Sequence, residues 1–122
     1  MPQKKTVFIA HPIAGDVTGN TREILQICEQ VHKDGYIPVA PYLVSLQYLD
    51  DTVEEDRQLG IDANLECFRR RFIDELWLFG KHISKGMREE IMLARELNIP
   101  VIAKNAEIED ELGKLPTVKS NW

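Results

Sequence analysis

In the stretch SKGMREEIMLA, residues 84–94, a glutamate falls where an apolar side chain belongs. A 3.6-residue period puts Glu90 on one side with Met87, Ile91, Ala94 and Leu97, and Arg88, Glu89, Arg95 and Glu96 on the other. A carboxylate on a buried stripe costs free energy unless something compensates it. Glu90 therefore needs a structural partner, such as an arginine or backbone amides, or a chemical task. Just ahead of it, Ser84, Lys85 and Gly86 bring a hydroxyl, a cation and a residue without a side chain to a helix N-terminus. Free amides and the helix dipole favour an anion there, although a plain Ser cap is the simpler reading.

The other chemistry-bearing residues each have a structural alternative. His11 could donate to a substrate or orient the loop before Pro12, and Asp16 could serve a ligand or a turn. Tyr42 and Tyr48 suit an aromatic pocket for a base, or the packing of a loop. The basic run Arg69–Arg71 near a helix C-terminus complements the dipole. Asp74, at the start of a strand, reads as structural. The two cysteines, Cys28 and Cys67, fall in helical patterns with no metal-ligand spacing, and read as reduced and packed. No metal and no cofactor is expected.

These residues need a scaffold, and 122 residues with 43% hydrophobic content suit one compact domain. The formal charge of -5 and the scattered basic residues argue against a nucleic-acid groove. The N-terminal apolar run is too short for a signal peptide and no segment approaches membrane-spanning length, so the expected setting is cytoplasmic, with no membrane partner.

TVFIA (6–10) reads as a buried strand entering a turn-rich loop. Asn20 with Glu23 resembles a capping box, and Ile24, Ile27, Cys28 and Val31 carry a helix to a stop at Gly35. YIPVA (36–40) is a second strand, at an edge because Pro38 cannot donate to a ladder. Ile61, Leu65, Phe68 and Phe72 predict a helix ending near Arg71, ELWLFG a central third strand, and NIPVIA (98–103) a fourth. The alternation implies an α/β, doubly wound three-layer sandwich around a central parallel sheet of four or five strands, flavodoxin- or Rossmann-like. Residues 1–103 form the domain; 104–122 form a C-terminal tail with room for a short acidic helix, its Trp122 packing on the domain or on a second subunit. Ligands of such sheets bind beyond the carboxyl ends of the strands, where strand order reverses. Glu90, about 9 Å along its helix from Ser84, is within reach of that crevice.

Together FIAHPIAGD, DELWLFG, SKGMREE and the following Ala94 resemble the nucleoside 2-deoxyribosyltransferase-like superfamily, most closely its small uncharacterised bacterial and phage domains, over residues 6–103. That resemblance implies cleavage or exchange of an N-glycosidic bond in a nucleoside or nucleoside 5'-monophosphate, with Glu90 as nucleophile and Ser84 near a 5'-phosphate. It also implies a wall of His11, Ile13, Gly15 and Asp16 around sugar and base, with Ser84, Gly86, Met87 and Tyr48 as further contacts. The partner would be a small-molecule nucleoside or nucleotide, and the state a homo-oligomer. A retaining mechanism needs a second carboxyl about 5 Å from the first to protonate the leaving base. Counting back from Glu90 as in the superfamily gives Glu66. Helix geometry offers Asp62, about 18 Å above Asp74 and level with the strand tops. The loop carries Ala14 where the nucleotide hydrolases have an arginine, which leaves Lys85 or Lys81 to meet a phosphate, or a ligand that lacks one. The same pocket without turnover would make a nucleotide-binding or sensing module.

Overall fold

The computed structural model describes residues 3–116. Four strands, β1 (Thr6–Ala10), β2 (Ile37–Val39), β3 (Glu75–Leu78) and β4 (Val101–Ala103), form one sheet in the order β2-β1-β3-β4. All three ladders are parallel: Thr6 stands opposite Ile37, Val7 opposite Glu75, and Leu76 opposite Val101. Pro38 does lie on an edge strand, where its missing N–H interrupts no second ladder. Five helices connect and flank the strands: α1 (Val17–Lys33), α2 (Tyr42–Ser45), α3 (Glu54–Arg69), α4 (Lys85–Glu96) and α5 (Ala106–Lys114).

The period-2 alternation of the strands builds two cores. Val7, Ile9 and Trp77 point to one face and meet Ile24 and Val31 of α1. Phe8, Ala10, Leu76 and Leu78 point to the other, against Phe68 of α3, Met87, Ile91 and Ala94 of α4, and Ile108 of α5. Both faces of the central strands are therefore covered, which is why β1 and β3 are apolar nearly throughout. The result is the expected doubly wound three-layer sandwich with four strands.

Several boundaries differ from the sequence pattern, each for a local reason. Helix α1 starts at Val17, capped by Asp16, whose Oδ1 accepts from the Gly19 amide at 3.0 Å. The expected cap, Asn20, is already inside the helix and its Nδ2 donates to the Ile13 carbonyl at 2.9 Å. Helix α3 stops at Arg69, and Arg71 takes a left-handed φ of 58°, so Phe72 leaves the apolar stripe and is exposed. Asp74 does tie down the bottom of the sheet, its Oδ2 accepting from the Thr6 amide at 2.8 Å.

Downstream of β4 the chain is part of the body. Helix α5 is capped by Asn105, which accepts from the Ile108 amide at 2.8 Å while its Nδ2 donates to the Gly80 carbonyl at 2.8 Å. Ile108 is fully buried, and Glu111 accepts from the Ile83 amide in the loop that enters α4. Trp122 lies outside the described residues. Truncating Ile108 to Ala is expected to cost about 2–5 kcal/mol in urea unfolding, as for other buried branched side chains. A loss well under 1 kcal/mol would mean that α5 is only appended to the core.

Candidate functional site

Strand order reverses between β1 and β3: the chain goes from β1 out to β2, then crosses through α3 to β3 on the other side. The loops at the carboxyl ends of these two strands must diverge, and a crevice opens between them. Here it is a cavity of about 870 Å³, within the usual range for small-molecule sites. Its walls come from the loop after β1, from α2 and the segment behind it, from the upper half of α3, and from the first turns of α4.

Glu90 is on this wall. The residue is 7% exposed, and among the described residues no cation or hydrogen-bond donor pairs with its carboxyl. Burial, followed by the repulsion of neighbouring Glu89, pushes its pKa from 4.5 up to about 8. Glu89 is not on the fully wet face that its spacing suggested; it is half-buried and lines the same cavity. The local fold explains how so costly a group is held. Met87, Ile91 and Ala94 anchor the same stripe of α4 in the core, and Ser84 fixes the start of the helix by accepting from the Met87 amide at 3.2 Å.

Ser84, Gly86 and Met87 line the cavity as expected, with the Ser84 oxygen accepting the cap bond and its O–H left to donate. A Cβ built on Gly86 would meet nothing within 4 Å, so that side of the helix end is open space. His11, Ile13 and Gly15 line it too. His11 is used by the protein itself: Nδ1 donates to the Pro12 carbonyl at 2.7 Å, and Nε2 meets the Glu23 carboxyl of α1 at 2.5 Å. Both ring nitrogens are thus spent on orienting the loop. Glu23 acts here as the partner of His11, not as half of a capping box.

Four expected site residues are elsewhere. Asp16 is the cap of α1 and does not reach the wall, and Tyr48 is 70% exposed behind α2. Asp62 is exposed and Glu66 half-buried, both off the cavity wall and bound by Arg69 at 3.0 and 3.2 Å. The height argument for Asp62 holds, because its neighbour Ile61 does line the cavity; the angle fails. Positions 57, 61 and 64 form the stripe of α3 that faces the cavity, whereas 62, 66 and 69 form the stripe on which Arg69 bridges two acids. Lys85 is on the wall and Lys81 is not.

The wall also holds residues that local spacing did not single out. Asn64 of α3 lines a small recess together with Glu90, and its Oδ1 is buried without a hydrogen-bond partner among the described residues. Arg57 adds a cation, and the segment before α3 adds Asp50, Asp51, Glu54 and Asp56. Asp56 accepts from the Asp50 amide at 2.8 Å and Asp50 from Thr52, so those two hold the loop. Tyr42, taken from sequence as a base-pocket or packing residue, is on the wall and also packs: its ring lies tilted against Phe8, and its hydroxyl donates to the Ile9 carbonyl. Burial, with Glu90 and Cys28 nearby, holds its phenol well above its usual pKa. The signal for Asn64 was present only as the i, i+3 relation to Ile61.

The unpaired carboxyl has a consequence for stability. Below about pH 4.5 both folded and unfolded chains carry the Glu90 proton; from there to about 8 only the folded chain keeps it, so stability falls as pH rises and then levels. Glu90→Gln removes this term. In thermal melts the variant is expected to match the wild type near pH 4 and to exceed it by a few kcal/mol at pH 8. A difference independent of pH would mean that the carboxyl is solvated.

No curated protein matches the chain. Among solved structures, a conserved protein from Enterococcus faecalis V583 is similar in fold, with a TM-score of 0.56 and 18% identity, over 91% of this chain and 74% of that one. A family model described as Domain of unknown function (DUF7768) matches residues 5–104, which span the whole sheet and every wall of the cavity. The chain belongs to that family.

Proposed function

We propose that the cavity binds a nucleoside or nucleoside 5'-monophosphate and that Glu90 attacks its anomeric carbon, releasing the base to water or to an acceptor base. The observation that carries this reading is a buried carboxyl with no cationic partner among the described residues, on the wall of a ligand-sized cavity at the sheet's switch point. Keeping such a group has a cost in stability, which a chemical task offsets. The lining suits a partly polar ligand: Ile13, Val17, Leu46 and Leu49 supply apolar wall, while the α4 N-terminus, Lys85 and Arg57 supply donors and positive charge.

In this reading Glu90 forms a covalent ester with the sugar as the carbon–nitrogen bond breaks, and the departing base takes a proton. Within the cavity, the carboxyls besides Glu90 that are not committed to hydrogen bonds among the described residues are Asp51, Glu54 and Glu89, which replace Asp62 and Glu66 as candidate proton donors. Attack requires the carboxylate. With a pKa of about 8, roughly one free molecule in ten is in that form at pH 7, and sugar hydroxyls donating to the carboxylate would raise the fraction on binding.

Incubation with a panel of nucleosides and their 5'-monophosphates, read by release of free base, tests the proposal. Turnover by at least one is expected, with a bell-shaped dependence of kcat/KM on pH, because Glu90 must be ionised while the carboxyl that protonates the base must not be. Glu90→Gln is expected to reduce it by roughly 10³-fold or more. Ligand-induced thermal stabilisation without any product would instead identify a binding module, and neither effect from any compound would remove the nucleotide reading altogether.

A further inference from the structure

The inner wall of the cavity holds two polar side chains, Asn64 and Glu90, for which no other partner stands among the described residues. Beside Glu90 the wall dips into a recess of about 20 Å³ formed by Ile61, Asn64, Leu65, Gly86 and Glu90. Ile61 and Leu65 are apolar and Gly86 has no side chain, so Asn64 and Glu90 supply the polar side chains of this recess. Asn64 Oδ1 is closed to solvent without a partner, and the Glu90 carboxyl is equally unpaired among the described residues. Native interiors rarely leave a buried acceptor such as Asn64 Oδ1 alone, and here the Glu90 carboxyl, on a different helix, shares its small space.

We infer that Asn64 is a positioning residue for Glu90, its carboxamide serving as the hydrogen-bond partner of the Glu90 carboxyl across this recess in both protonation states. A neutral carboxyl donates its O–H to Oδ1. A carboxylate accepts from Nδ2 once the carboxamide turns over about its terminal bond. Asparagine suits both states because it carries an acceptor and a donor on one planar group; leucine offers neither, and an ionised aspartate only an acceptor. The buried atom is Oδ1, the one a neutral acid requires, in keeping with a carboxyl that burial keeps protonated up to about pH 8.

Hydrogen bonds to an ionised group are stronger than those to a neutral one, so the net effect of Asn64 is to favour the carboxylate and to hold its oxygens in place. The other groups around Glu90 leave that task open. Glu89 on α4 opposes ionisation. Tyr42 on α2 and Cys67 on α3 are both held neutral by burial, with their donors committed to the Ile9 and Ala63 carbonyls. His11 and Lys85 also line the cavity, the former already engaged through both ring nitrogens.

The inference rests on Glu90 being the reactive group of the site, but its test needs no turnover. Glutamate side chains labelled with ¹³C, with Glu90→Gln to identify the resonance, report the Glu90 titration directly by NMR. Asn64→Leu, close in size and unable to hydrogen-bond, is expected to raise the midpoint by about one pH unit, a tenfold gain in proton affinity. Asn64→Asp is expected to split the titration into two coupled steps. A Leu variant whose Glu90 titrates within about twofold of the wild type in proton affinity overturns the inference, since Asn64 would then only fill the wall. If the Leu variant does not fold, Asn64→Val gives the same readout with the same expected direction. A shifted midpoint with no base release from any nucleoside or nucleotide leaves the pair standing and removes the glycosidic reading; base release with an unshifted midpoint does the reverse.

Discussion

The arrangement depends on keeping one carboxyl out of water without giving it a counter-charge. Glu90 is 7% exposed and no arginine or lysine reaches it among the described residues, so its ordinary charged form is disfavoured by several pH units. A surface glutamate would cost nothing, and an ion-paired one would be inert. The fold pays for this with the firm seating of α4, whose Met87, Ile91 and Ala94 lock one face into the core and whose Ser84 fixes the first turn. Around that helix end, the other walls are arranged so that the acid faces a cavity and not a void.

The supports of the cavity are themselves hydrogen-bonded, which gives it a definite shape. The loop after β1 is held by His11 between the Pro12 carbonyl and Glu23, and by Asn20 on the Ile13 carbonyl. Opposite it, Asp56 and Asp50 pin the segment leading into α3, and Glu111 of α5 reaches back to the loop before α4. Gly80, at a φ of 93°, lets the loop after β3 pass close to Pro12, where a Cβ would lie 2.6 Å from the proline ring. Polar groups near the site thus divide into those spent on structure and the few left free, Glu90 and Asn64 among them. Those two are joined to each other by the inferred bond and to nothing else among the described residues.

Electrostatics at the cavity are mixed. The α4 N-terminus, Lys85 and Arg57 attract an anion, whereas Asp51, Glu54 and Glu89 repel one. A ligand that is neutral where the acids cluster and polar near the helix end satisfies both.

From the sequence alone, periodicity determined the layered fold, the edge position of Pro38, the cap at Ser84, the inward turn of Glu90 and the structural role of Asp74. Those are local properties: a strand's alternation, a helix's stripe and a proline's missing donor are all carried within a few residues. Tertiary structure decided which acids share the cavity. Asp62 and Ile61 are neighbours at the same height, yet one step of about 100° around α3 turns one to Arg69 and the other to the ligand space, and spacing gives no absolute angle for a weakly amphipathic helix. The same holds for Asp16 against Asn20 as cap, settled by the bond to Gly19, and for Asn64, whose significance lies wholly in what stands across from it on another helix.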